Sequence, residues 1–404
     1  MKSSGAIIFY IFIILFIVLA YLNTNGFLPA LFSQTTPTPA PVKRNIIEMA
    51  YKEKEYKVNY SKKYDTYGVE IAGFEEGEKW KGDYKIDNSN YHDGKSSYVI
   101  FSKDNQPTVI SLQKNLNLSD YSIFRVLVYV ANEKDINNLQ NLTLRLGPLD
   151  NSAYYEYDIL NLHTGWNIIS MSKDNFTFIS GSKKEEAVSQ NPAGSNRLWE
   201  KIEKISIELN SRPNTQVELS VDRLWAEKNE DYKKDFRTST PALVSPKIWN
   251  GKTYMNFWSL GGSSAYINKV AGVKNFTYTA KIIPQKAGAF GISARTDMAT
   301  GYGYYLEMGG IDAGTWNLHK IGKVVKDSST TQLDTGELAN FLIEADQPVW
   351  LRLSISGSTI AGYFSADGIN FTKLTEKTDD ELKSGGIGFQ IGGSFLLESV
   401  EFKQ

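Results

Sequence analysis

Hydrophobic and polar residues alternate in short bursts along most of this chain. Between residues 65 and 228 eight runs carry the period-two pattern that sends every second side chain to one face of a strand: 97–101, 108–112, 122–130, 142–146, 154–159, 167–171, 204–209 and 216–224. The same cadence resumes beyond residue 246, at 276–283, 289–295, 302–308, 315–321, 349–356, 359–365, 386–391 and 396–402. Gly, Asp and Asn punctuate the runs, as turns between antiparallel strands require. Many short strands at this spacing predict an all-β protein of two consecutive antiparallel β-sandwiches, or jelly rolls, at 65–228 and 247–404. A polar stretch at 182–196 reads as a long loop after a short helical piece, and the charged, then Ser/Thr/Pro-rich, stretch 229–246 reads as a linker. No repeat of 20 to 50 residues links the halves.

One segment breaks the pattern. Residues 6–22 (AIIFYIFIILFIVLAYL) hold no charge and as a helix would extend about 26 Å, close to the roughly 30 Å of a bilayer core. An N-terminal transmembrane helix within 1–33 is expected, with Lys2 on the cytoplasmic side and the sandwiches outside. A cleaved signal peptide is the rival; a pilin-like leader after Gly5 lacks the usual glutamate, Tyr10 standing in its place. Within 34–64, the Thr/Pro stretch 34–42 forms an extended stalk. Residues 43–63 carry seven basic and three acidic side chains, suited to a solvated membrane-proximal element or to rest on an anionic membrane or wall polymer.

Composition narrows the function. Over 404 residues, 44 basic side chains face 45 acidic ones, a balance that offers no field for nucleic acid. The absence of cysteine excludes disulfides, thiolate metal sites and cysteine nucleophiles. The three histidines, His92, His163 and His319, are too scattered for a zinc motif or a histidine-dependent triad. Six N-x-S/T sequons, at Asn59, Asn117, Asn141, Asn175, Asn275 and Asn370, are compatible with an exterior location.

In the first sandwich GFEEG (73–77), HDGKSSYVIF (92–101), TGWN (164–167) and SVDRLW (220–225) occur in an order that resembles the galactose-binding-like jelly roll of carbohydrate-binding modules. That resemblance implies a structural Ca²⁺ held by Glu75, Asp93 or its turn, and Asp222; calcium's need for six to eight oxygens suits a loop clamped between first and last strands. Trp166, Trp199 and Trp225 read as buried anchors. Trp80, Tyr84 and Tyr91, in polar, turn-rich sequence, are candidate sugar-stacking rings.

In the second sandwich the W-x-R-L strand from Trp350, the hairpin around Asp367 and Gly368, and the closing G-I-G-F strand resemble the concanavalin A-like, laminin-G-like sandwich. Tyr302, Tyr304, Tyr305, Trp316 and His319 lie on adjacent predicted strands, so one alternating set forms a possible ligand platform, for which Tyr302, Tyr304, Trp316 and His319 are the candidates. Glycoside hydrolysis needs paired carboxyl groups; within 289–321 the only acids are Asp297, Glu307 and Asp312, with no E-x-D-x-E strand, and Glu307 in YYLEMGG, a residue that could face a concave sheet, is one acid and not a mechanism. The expectation is therefore a membrane-anchored extracellular protein, not an enzyme, that binds glycans or cell-surface polymers or mediates adhesion. A self-associating envelope or appendage component and a glycan hydrolase are the alternatives.

Overall fold

A computed structural model describes residues 55–180, 183–184, 196–239, 242–259, 262–323, 328–339 and 341–404. The apolar run 6–22, the Thr/Pro stretch 34–42, much of the basic segment 43–63 and most of the loop 182–196 lie outside the described residues. Among the described residues no helix is long and apolar enough to cross a membrane.

All sixteen expected runs are strands, within a few residues of the expected bounds, and they enter four antiparallel sheets. In the first sandwich one sheet runs Lys183–Lys184, Thr177–Ser180, Ala153–Ile159, Leu139–Gly147, Ile202–Ser211, Thr108–Leu116. The other runs Lys85–Asp87, Ser97–Lys103, Gln216–Glu227, Ile123–Val130, Gly165–Ser172, with Gly68–Ala72 beside Gln216–Glu227. Inward-facing Ile100, Val128, Leu144, Ile207 and Val221 belong to the core between them, together with Trp199.

In the second sandwich an eight-stranded sheet orders Leu243–Trp249, Lys252–Trp258, Ser394–Lys403, Phe276–Lys286, Val349–Ser356, Thr359–Ser365 and Thr372–Thr378. It faces a seven-stranded sheet of Phe236–Thr238, Ser263–Ile267, Gly386–Ile391, Phe290–Thr296, Gly303–Met308, Thr315–Lys323 and Ser328–Glu337. Strand Val349–Ser356 shows the period directly, with Val349, Leu351, Leu353 and Ile355 buried and the residues between them not.

The chain order holds a departure from two beads on a string. The eighth strand of the larger sheet is Glu55–Asn59, which pairs with the far end of Ser394–Lys403 from Glu55 opposite Lys403 to Asn59 opposite Ser399. The helical turn Tyr60–Lys63 follows, and Tyr56, Tyr60 and Tyr64 enter the second sandwich's core. The first sandwich is thus inserted between the first strand of the second sandwich and the rest of it. The described part of the basic segment is accordingly a core-forming element, with Lys57 reaching Glu401 at 3.6 Å and Lys63 paired with the buried Asp235. Likewise the stretch expected as a linker, 229–246, supplies the strand Phe236–Thr238 and the start of Leu243–Trp249.

The two sandwiches meet on a packed seam. Trp225, Trp166 and Leu127 bury their side chains on the outer side of the first sandwich's sheet and pack with Leu243 of the second. Trp166 and Trp225 are therefore buried, as expected, but in the seam rather than the sandwich core. His92 sits against Trp258, ring centres 3.6 Å apart, and against Trp166 at 5.5 Å. Arg125 closes the adjoining corner: its guanidinium meets Glu227 at 3.1 Å and pairs with Glu230, while Glu227 also accepts from Trp225 Nε1 at 2.7 Å and Tyr232 OH at 3.0 Å.

Candidate functional site

Register assigns the outer face of the seven-stranded sheet. Alternation sends Tyr304, Leu306, Met308, Trp316 and Leu318 into the core, so Tyr305, Glu307, Asn317 and His319 take the opposite face. Strand pairing then aligns two rows across six strands. One row reads Ser264, Gln390, Gly291, Glu307, Asn317, Thr335; the other reads Tyr266, Gly388, Ser293, Tyr305, His319, Gln332. Five interstrand steps of ~4.8 Å make each row roughly 24 Å long.

The second row is a layer of rings. Tyr305 and His319 stack with centroids 5.3 Å apart and planes 7° from parallel. Tyr266 lies close over Gly388, where a Cβ would come within 2.9 Å of its ring, so glycine is what lets that ring settle on the sheet. The turn before the strand caps the layer, Tyr305 OH donating to Gly301 O at 2.6 Å.

The first row is polar and, apart from Gly291, half-buried or exposed. At its centre Glu307 has no hydrogen bond or ion pair among the described residues, and burial alone raises its carboxyl above the ordinary value. On one side its cross-strand neighbour is Gly291, with no side chain to cover it; on the other is Asn317. Asn317 Oδ1 and the nearby Ser293 Oγ are buried without a hydrogen-bond partner. Unmet buried polar atoms cost about 1–3 kcal/mol each; the accessible hydrogen-bonding capacity of this face lies in Glu307 and the other half-buried or exposed members of the row.

Several expected ligand rings are placed elsewhere. Trp80 is buried, stacked on Phe74 at 4.8 Å with its Nε1 donating to Glu78 at 2.9 Å, and Tyr84 lies flat on Tyr98 at 4.3 Å. Both complete the first sandwich's core, so the expectation that polar sequence would leave them free is corrected. Tyr304 and Trp316 point inward, Tyr304 OH donating to Asp379 Oδ1 at 2.6 Å; the platform's parity is the reverse of the one expected for them. His319 is on the outer face, its ring nearly covered by the stack. Tyr302 lies half-buried in the capping turn, and Tyr91 lines a cavity at the seam. Asn317 and Gln390, polar members of the row, are not among the expected ligand residues, and Glu307 enters the sequence reading only as a lone acid that could face a concave sheet, although the alternation argument applies to it equally.

Glu75, Asp93 and Asp222 do converge. Asp222 Oδ2 accepts from the amides of His92 and Asp93, both at 2.8 Å, and its Oδ1 from that of Arg223 at 2.6 Å. Glu75 accepts from the Lys95 amide at 2.9 Å. Asp93 is gripped by Lys247 on one oxygen and by Arg223 at 3.2 Å on the other. Burial alone would raise the Asp93 carboxyl; the two cations outweigh it and hold it well below its usual range. Burial and the adjacent Asp93 push Asp222 up to about 8, against the three amides. Calcium binds carboxylate oxygens, and here both oxygens of Asp93 are already held by cations, Lys247 and Arg223. The donors do not fit Ca²⁺ in this arrangement, and among the described residues no group of three His, Cys, Asp or Glu side chains is placed to hold a metal.

His92 gives the seam a pH dependence. Burial pushes its imidazole down to about 3, with Lys286, Arg223 and Lys247 acting in the same direction and Asp93 against. Because the folded value lies below the unfolded one, near 6.5, its contribution to stability is whole above pH ~6.5 and declines as pH falls. Between pH 6.5 and 4.5 it amounts to about 2–3 kcal/mol. Chemical denaturation across that range shows a steeper loss for the wild type than for His92→Phe; equal slopes contradict the assignment.

No family model matches the chain, and no curated protein matches it. Solved structures similar to part of it include the carbohydrate-binding module CBM66 from Bacillus subtilis, 16% identical over 42% of this chain and 96% of that one, with a TM-score of 0.34. The Ca²⁺/Man3GlcNAc-bound exoplasmic/lumenal domain of VIP36 is 9% identical over 42% and 83%, TM-score 0.30. A legume lectin-like domain from Entamoeba histolytica is 12% identical over 43% and 91%, TM-score 0.29.

Proposed function

We propose that this protein binds saccharides along the polar row of the seven-stranded sheet. The observation that carries the proposal is Glu307, without a partner among the described residues and set between Gly291 and Asn317. A carboxylate accepts hydrogen bonds from two hydroxyls at once, the Gln390 amide both donates and accepts, and Asn317, whose Oδ1 is buried, offers its Nδ2 as a donor. A sugar's vicinal hydroxyls match that set, and the row's length suits an oligosaccharide rather than a single ring. The stacked Tyr305 and His319 hold the floor rigid, which lowers the cost of ordering the site on binding. No second carboxylate occupies the positions paired with Glu307, so the row lacks the acid pair that glycoside hydrolysis needs.

Native electrophoresis through gels containing soluble β-glucan, xylan or mannan tests this. The wild type is retarded by at least one polysaccharide, and Glu307→Gln weakens that retardation by about tenfold, equivalent to one charge-assisted hydrogen bond. Equal retardation of the variant would overturn the site.

The uncharged run 6–22 and the stretch 34–42 support display of the sandwiches outside a membrane, where weak sites gain from many copies on one surface. Protease added to intact cells then degrades the C-terminal sandwich; protection of that sandwich opposes this location.

A further inference from the structure

A cavity of about 650 Å³ opens at the seam, within the ~300–1,000 Å³ typical of small-ligand sites. The first sandwich contributes Glu70, Glu75 and the turn from Tyr91 to Lys95. The second contributes the hairpin end at Trp249 and Asn250, then Gln285 to Ala287 and Asp346. Neither sandwich forms this cavity alone.

The charges of the lining decide what it accepts. Glu70, Glu75, Asp93 and Asp346 are balanced in number by Lys95, Arg223, Lys247 and Lys286. Some are consumed by the joint itself: Asp93 is shared by Lys247 and Arg223, while Lys286 donates to Tyr91 O and lies 4.2 Å from the centre of the Tyr91 ring. What remains is polar and dispersed. The Lys95 ammonium and the Asn250 amide have no partner among the described residues, and Glu70 only approaches Arg223, at 4.0 Å. The half-buried Trp249, braced edge-on by Tyr254 at 5.8 Å, adds an aromatic wall. With no surplus of either sign, a charged ligand meets as much repulsion as attraction. A neutral ligand bearing many hydroxyls finds donors, acceptors and a ring.

We infer that the seam cavity is a second binding site, for a neutral sugar residue held between the two sandwiches. It is separate from the sheet row and shares no residue with it.

Saturation-transfer NMR on the full chain tests the inference with methyl glucoside, methyl galactoside and methyl mannoside, each at about 10 mM to reach weak affinities. The Glu307→Gln/Asn317→Ala protein, with the sheet row disabled, retains the transfer signal of at least one of these sugars. Added to that protein, Glu70→Gln/Asn250→Gly, conservative at the acid and compatible with the positive φ of Asn250, abolishes the remaining signal, and so does Trp249→Ala. Glucuronate and glucosamine give signals several-fold weaker. Loss of all signal on disabling the sheet row, undiminished signal in both seam variants, or preference for a charged sugar would each overturn the seam site while leaving the sheet proposal standing. No signal from any protein overturns the seam site; the sheet proposal, which concerns an oligosaccharide, stands or falls by the electrophoresis above.

Discussion

Deleting residues 1–64 unfolds the second sandwich, although the cut falls just ahead of the first. The removed strand Glu55–Asn59 is a full member of the eight-stranded sheet, and three buried tyrosines leave with it and the turn that follows. Tyr60 is fully buried, hydrogen-bonded to Tyr56 OH at 3.1 Å and packed on Phe236 at 4.9 Å; Tyr64 OH donates to Asp235 Oδ2 at 2.6 Å. Losing a buried aromatic side chain costs about 3–5 kcal/mol, so three approach the ~5–15 kcal/mol that holds a whole domain together. Removal also strips Asp235, a buried carboxylate, of Lys63. The single change Tyr60→Ala lowers stability by about 3–5 kcal/mol. Limited proteolysis of the 65–404 fragment releases the first sandwich intact and digests the second; a fragment in which both survive contradicts this account of the insertion.

Asp93→Ala has the next largest effect, because the aspartate is the anion for two buried cations from different sandwiches. Without it Arg223 and Lys247, each less than a tenth exposed, lose their counter-charge. Removing one partner of a buried ion pair costs about 3–5 kcal/mol. Lys247→Met costs less, since Arg223 stays beside Asp93. Calorimetry distinguishes the seam from a local effect: the wild type melts in one transition, and Asp93→Ala splits it into two as the sandwiches uncouple. A variant that melts once, at an unchanged temperature, would remove Asp93 from this role.

The strands legible in the sequence were those whose alternation is local and strong, such as Val349–Ser356. Glu55–Asn59 escaped because EYKVN sits in a lysine-rich segment and its partner strand ends at Lys403, so nothing nearby marks the pairing. The hairpin around Asn250 and Gly251 is marked locally: Asn-Gly between β-forming runs is a strong turn signal, and both residues take positive φ. In the sheet face, alternation predicted that Tyr304 and Tyr305 would part company. Which one faces outward depends on the register of Tyr305 against Ser293 and His319, a tertiary fact. Asp93 illustrates the converse. Its turn suggests a metal, but the cations that reach it are Arg223 and Lys247, the latter 154 positions away in the sequence.

The central claim is that saccharide lies across the strands on Glu307. A crystal structure of the full chain with an oligosaccharide of whichever polysaccharide retards it tests this most directly. Sugar hydroxyls within hydrogen-bond reach of both Glu307 and Asn317 are the predicted result. Sugar bound elsewhere on either sandwich, with the Glu307 row empty, is the result that contradicts it.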